Sequence, residues 1–275
     1  MSLHFLSRAL RDGLYLISSD EWARPDSSVN CFLVMGAERA LLVDTGEPGE
    51  GGIRAFAERL CGGKPITCVC THGHFDHVGN ASEFDEVWMS TRDLRWLDGV
   101  GYIPGCKVEA RIRDLVDGQT FDLGGRLLTV VAIPGHTAGS MALLDHATHT
   151  LIAGDAIARR GFFVESDGCV SAVTALFDRL LEVERLEFDA LATAHDRFLV
   201  PKEVIRHFMR TVADHAASPQ KHWTAPDGTS YDEVRLGEPD DDFYINCSFP
   251  SSVQPALAEA LATWKAAHPD IWNED

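Results

Sequence analysis

THGHFDHVGN, residues 71–80, sets three histidines and an aspartate within six positions, His72, His74, Asp76 and His77. The run before it, ITCVC, is short and apolar and predicts a buried strand that delivers the chain into this loop. A strand that ends in an extended loop turns alternate side chains to one side, so His72 and His74 point at one centre while Phe75 faces away. Asp76 and His77 are adjacent and diverge, which suits a second centre a few ångströms off. One loop thus begins two metal sites and completes neither, because catalytic zinc takes about three protein ligands plus water.

The missing donors stand in similar positions further along. His136 follows VVAIPG, Asp155 follows TLIAG and His195 follows ALATA, each at the C-terminal end of a predicted strand. Strand ends of an α/β sheet gather at one rim, where sites tend to form. Two more histidines and one carboxylate are what a pair of metal ions would need.

The rest of the chain alternates in the same way. GLYLIS, NCFLVMG and RALLVDTG read as strands, and GGIRAFAERLCGG as a short amphipathic helix closed by glycines. After the histidine loop a helix is expected from near Val78, then a strand at EVWMS and a helical stretch at TRDLRWL with Thr91 as its N-cap. RLLTVVAIPGH, SMALLD and THTLIAGD follow as strands. SAVTALFDRLLEVERL carries Val173, Leu176, Phe177, Leu180 and Leu181 on one helical face. FDALATAH is a strand, and PKEVIRHFMRTVADHAA a helix with Pro201 in its first turn. Residues 217–242 are polar and rich in turn formers, which predicts a long surface loop or a lid over the cleft. FYINCSF reads as a strand and SSVQPALAEALATWKAAHP as a closing helix.

Composition narrows the partners. With 275 residues, 45% of them apolar, the chain can bury a large core. A formal charge of −18 opposes a nucleic-acid partner. No apolar run is long enough to span a bilayer and no leader is evident, so a cytoplasmic protein without a membrane partner is expected. Seven scattered cysteines fit reduced, buried thiols better than a disulfide framework.

THGHFDHVGN, PGHTAGS, AGDA and TAHD, in that order and with LLVDTG upstream, resemble the metallo-β-lactamase-fold superfamily. The resemblance implies a four-layer αββα sandwich of two mixed sheets flanked by helices, over a core of residues 1–200, with 201–275 as an extension completing or covering it. It implies one ion held by His72, His74 and His136, a second by Asp76, His77 and His195, and Asp155 bridging them. Asp44 is similar to the family's supporting aspartate behind the histidine loop. The cofactors implied are two divalent ions, zinc first, with iron or manganese as alternatives.

The resemblance further implies a hydrolase in which metal-activated hydroxide attacks an ester, thioester or lactone carbonyl of a small molecule, with Asp76 orienting it and moving its proton. True β-lactamases of this fold lack the bridging aspartate that AGDA supplies, and flavodiiron proteins have glutamate in place of His74. Quorum-quenching lactonases place a tyrosine where this chain has Phe162 and Phe163. What remains is the glyoxalase II, lactonase and general ester or thioester hydrolase branch, with a mononuclear iron oxidoreductase or a phosphodiesterase as alternatives. Arg159 and Arg160, just after Asp155, would suit an anionic substrate group at the pocket mouth. Ser140 is expected to hydrogen-bond its own loop, and the aromatics of 217–242 serve a lid or an interface in a homo-oligomer.

Overall fold

The computed structural model describes residues 5–19, 29–49, 51–97, 108–157, 162–163, 169–225, 228–237 and 245–273. The first sheet runs in chain order through β1 (Leu6–Arg11), β2 (Leu14–Ser18), β3 (Cys31–Met35), β4 (Ala40–Val43), β5 (Ile66–Val69), β6 (Glu86–Met89) and β7 (Arg111–Asp114). It is antiparallel up to β4 and parallel beyond, with α1 (Ile53–Leu60) crossing from β4 to β5. In the second sheet β8 (Thr120–Asp122), β9 (Leu127–Ala132), β10 (Met141–Asp145) and β11 (Thr150–Gly154) are antiparallel neighbours. β13 (Ala190–Thr193) then pairs parallel with β11, and β14 (Val200–Pro201) closes the edge.

Period-two alternation decides how the sheets stack. Leu16, Phe32, Val34, Leu41, Val43 and Val69 of the first sheet meet Leu128, Val130, Leu143 and Ile152 of the second in one core. The alternate residues Leu33, Leu42 and Cys68 face the other way, onto Ile53 and Ala57 of α1. On the far side, Val131, Leu144, Leu151 and Leu191 pack against α3 (Cys169–Val183), α4 (Val204–His215) and α5 (Gln254–Ala267). Each sheet is therefore apolar on both faces, and the expected αββα order of layers results.

Several local expectations differ from the structure. Residues 217–242 are not a plain loop: among those described, β15 (Lys221–Thr224) and β16 (Ser230–Leu236) form a hairpin, with Trp223 and Tyr231 paired and their rings 4.6 Å apart. β16 pairs in turn with β17 (Ile245–Pro250), and β17 with β12 (Phe162–Phe163). The strand pattern was hidden because β16 buries two acids. Asp232 accepts bonds from the Ser251 hydroxyl and the His222 ring, and Glu233 stands beside Lys221. The helix expected from Val78 instead ends there, α2 being Phe75–Val78. Thr91–Leu97 is a 310 helix, and Pro201 lies in β14, three residues before α4.

A buried ion pair ties the two sheets together. The Arg126 guanidinium meets both oxygens of Asp145 and donates to the carbonyls of Asp12 (2.9 Å) and Met35 (3.1 Å). Asp145 is fully buried, so Asp145→Ala would strand a positive charge in the core. A loss of about 3–5 kcal/mol in chemical unfolding is expected, and the double variant Asp145→Ala with Arg126→Met should recover much of it. Equal stability of Asp145→Ala and parent would refute this account.

Candidate metal centre

The parallel registers bring the strand ends to one rim. Val43 aligns with Val69 and Val69 with Trp88, so the residues after β4, β5 and β6 emerge side by side. In the second sheet Gly154 aligns with Thr193, which puts Asp155 beside the His195 loop. The turn carrying His136 leaves β9 at the same end, where Met141 donates its N–H to the Thr71 carbonyl (2.8 Å) and joins the two sheets. Asn30 does likewise from the first sheet, donating to the carbonyl of Asp196 (2.6 Å).

The histidine loop is folded by what it must avoid and what it must satisfy. His74 is still extended, and the chain turns into the single-turn helix α2, which carries Asp76 and His77 and sets the His77 ring 3.9 Å, centroid to centroid, from the His72 ring. Gly79 comes next because a Cβ there would stand 2.2 Å from the Pro48 nitrogen. Asn80 ties the loop back, donating to the carbonyls of Thr45 (2.7 Å) and Glu47 (2.8 Å).

All seven ligand candidates come together, in three overlapping groups: His72, His74 and His136; His72, His77 and Asp155; Asp76, His77 and His195. His74 Nδ1 is 3.1 Å from His72 Nε2 and 2.9 Å from His136 Nε2. Asp155 Oδ2 lies 3.1 Å from His195 Nε2, 3.5 Å from His77 Nε2 and 3.6 Å from His136 Nε2. Donor atoms on a tetrahedral ion with bonds of about 2.0–2.1 Å stand ~3.3 Å apart, so these spacings suit a metal. His77 Nε2 and Asp155 Oδ1 are buried without a hydrogen-bond partner, the mark of groups that await one.

The electrostatics agree. Burial, with the neighbouring imidazoles, holds the His72 and His74 pKa values well below the usual histidine value, so both are neutral donors. Burial pulls His77 down too, but Asp76, Asp155 and Asp44 outweigh it and raise that ring well above the ordinary value. His195 is likewise opposed by burial and carried up to about 9 by Asp155 and Asp76. Burial raises Asp155, yet His195 and His77 hold it well below the usual carboxylate range. The site is built around anionic charge that protons balance here and cations could balance instead.

The residues behind the donors are of two kinds. Asp44, foreseen from LLVDTG, is fully buried and bonds His77 Nδ1 (2.9 Å) and the Thr71 N–H (2.7 Å). Asp93 was not foreseen. Its carboxylate accepts from the Gly73 N–H (3.0 Å), the Gly139 N–H (2.8 Å) and the Thr137 hydroxyl (2.6 Å), clamping the His72 loop to the His136 loop. Ser140 bonds its own loop as expected, accepting from the Thr137 N–H (3.0 Å). Arg159 and Arg160 lie outside the described residues. Among the described residues no cysteine joins the donor groups.

Comparison with known proteins agrees with this fold. The description "Metallo-beta-lactamase superfamily" matches residues 24–201, well over half the chain, and the chain belongs to that superfamily. It is 27% identical over 190 residues to the acyl-coenzyme A thioesterase MBLAC2 of Gallus gallus, a match covering 56% of this chain and 66% of that one. It is also 28% identical over 150 residues to a hydroxyacylglutathione hydrolase of Dechloromonas aromatica, covering 54% of this chain and 51% of that one. The chain thus spans up to about two thirds of these relatives. A metallo-beta-lactamase from Pontibacter korlensis superposes with a TM-score of 0.60 at 16% identity, covering 74% of this chain and 95% of that one, a likeness of fold.

Proposed function

We propose that the chain is a hydrolase with two divalent metal ions, cleaving thioesters or esters of small acyl compounds. The carrying observation is that donors of overlapping groups, His136, His77 and His195, all come within 3.6 Å of the buried Asp155 carboxylate. In this reading His72, His74 and His136 hold one ion, Asp76, His77 and His195 the other, and Asp155 both. Imidazole with carboxylate suits zinc, and also iron or manganese. Bound there, such ions supply a water acidic enough to ionise near neutral pH and positive charge for the carbonyl oxygen.

The chain's own groups do the rest. Asp76 is half-buried, and its carboxylate would orient the water, take up a proton and pass it to the leaving thiolate or alkoxide. Asp44 fixes the His77 ring through Nδ1, and Asp93 holds the two donor loops in register. A thioester is favoured among acyl substrates because both relatives are named for one, and acyl-coenzyme A and acylglutathione share that bond. We take residues 1–200 as the catalytic core and 201–275 as an extension completing or covering it, with α4 and α5 packed beside α3 on the second sheet.

The test is elemental analysis of protein purified without added metal, together with thiol release from acyl thioesters. Near two ions per chain, loss of turnover on chelation and recovery with zinc are expected. One iron per chain with oxygen uptake would sink the hydrolase reading, as would selective cleavage of phosphodiesters.

A further inference from the structure

His195 is held differently from the donors of the histidine loop. Its Nε2 lies 3.1 Å from Asp155 Oδ2, and its side chain is 21% exposed. His72 and His77 are gripped at Nδ1 as well, by the Thr71 hydroxyl (3.1 Å) and by Asp44 (2.9 Å). Among the described residues no hydrogen bond reaches His195 Nδ1, so this ring takes its direction from the backbone that carries it. That backbone is clamped by Asn30, which stands just before β3 and is buried. Its N–H donates to the Ala194 carbonyl (2.7 Å), and its side-chain Nδ2 to the carbonyls of Asp196 (2.6 Å) and Thr193 (3.3 Å). Both side-chain partners only accept, which fixes the amide with its NH2 toward the loop. One residue of the first sheet thus donates on both sides of His195.

The same bonds reach Asp155. The Ala194 N–H donates to the carbonyl of Gly154 (3.0 Å), the residue before Asp155. Gly154 has φ 53°, and a Cβ there would stand 2.5 Å from Thr71 Oγ1, so it lies directly against the residue before His72. The Thr193 hydroxyl closes the loop on itself through Asp196 Oδ2 (2.5 Å). We infer that Asn30 is a positioning residue: it fixes the backbone of residues 193–196 and so aims the His195 ring at Asp155, doing through the main chain what Asp44 does for His77 through Nδ1. A donor held ready binds an ion without first having to be ordered, so groups behind the ligands govern affinity. The service of His195 to a metal rests on the two-metal reading; the clamp on its loop does not.

The test compares Asn30→Ala, which removes the amide, with Asn30→Asp, which keeps its size but sets oxygen against two carbonyl oxygens. Zinc titration by calorimetry should show the second ion bound about tenfold or more weakly in both variants, and the first, on His72, His74 and His136, at parental affinity. Asp145→Ala, which weakens the fold away from the centre, should move neither affinity, so lost stability alone does not imitate the result. Carbon-13 relaxation of the histidine rings in metal-free protein reads the aim directly: His195 should gain motion in both variants while His77 does not. Two ions at parental affinity in both variants, or an unchanged His195 ring, overturn the proposal. Equal weakening of both ions overturns it too, as the mark of a general structural loss. A parent that binds fewer than two ions sinks the two-metal reading instead. The ring relaxation alone then decides the clamp, added motion at His195 supporting it and none overturning it.

Discussion

Asp155→Ala is expected to hold at most one ion per chain and to cleave thioesters on the order of a thousandfold more slowly than the parent. Asp155 Oδ2 is the acceptor that His195, His77 and His136 all approach, at 3.1, 3.5 and 3.6 Å. His136 belongs to one donor set and His77 and His195 to the other, so deleting this carboxylate weakens both. The other acid among the donor groups, Asp76, is 3.7 Å from His77 Nε2 and 3.9 Å from His195 Nε2, and stands only in the second set. Asp155→Asn separates charge from shape, since the amide keeps the volume and one oxygen but loses the negative charge. It should bind metal better than alanine and far worse than the parent. Elemental analysis and initial rates on the three proteins decide the matter. Two ions and full rate in Asp155→Ala would remove Asp155 from the centre.

The donors were legible because metal chemistry restricts side chains to a few types and strand ends place them. His136, Asp155 and His195 stand just past the end of an apolar run, and register brings those ends to one rim. The αββα layering was legible for a related reason, strands such as Phe32–Val34 and Leu41–Val43 being apolar on both faces. Asp93 was not legible. In TRDLRWL an acid among charged neighbours reads as solvent-facing, and what buries it is a set of partners distant in sequence, the Gly73 and Gly139 N–H groups and the Thr137 hydroxyl. The hairpin in 217–242 failed to show because its strand buries Asp232 and Glu233, whose partners His222, Ser251 and Lys221 lie up to 19 residues away. Local pattern reports apolar burial, and burial of paired polar groups escapes it.

Asp44→Asn tests the least visible part of the site. Asp44 has a left-handed backbone, φ 64°, which asparagine also tolerates, so the fold around it should persist. As a carboxylate it accepts only. Its Oδ1 takes the Thr71 N–H, and its Oδ2 lies 2.9 Å from both the Thr71 hydroxyl and His77 Nδ1. His77 must therefore carry a proton on Nδ1, which leaves Nε2, buried and without a hydrogen-bond partner, for the metal in the proposed reading. An asparagine that keeps the Thr71 N–H bond turns its amide NH2 toward Nδ1. That nitrogen must then accept, and the proton moves to Nε2, where it blocks coordination. An asparagine flipped the other way serves His77 but leaves the Thr71 N–H unsatisfied, at a cost of about 1–3 kcal/mol. The expected result is a folded protein whose second zinc binds about 10–100-fold more weakly while the first, on His72, His74 and His136, is retained. Zinc titration gives the two affinities, and nitrogen-15 shifts of the His77 ring give the tautomer. Two ions at parental affinity, with Nε2 still unprotonated in the zinc-loaded variant, would show that Asp44 does not govern His77.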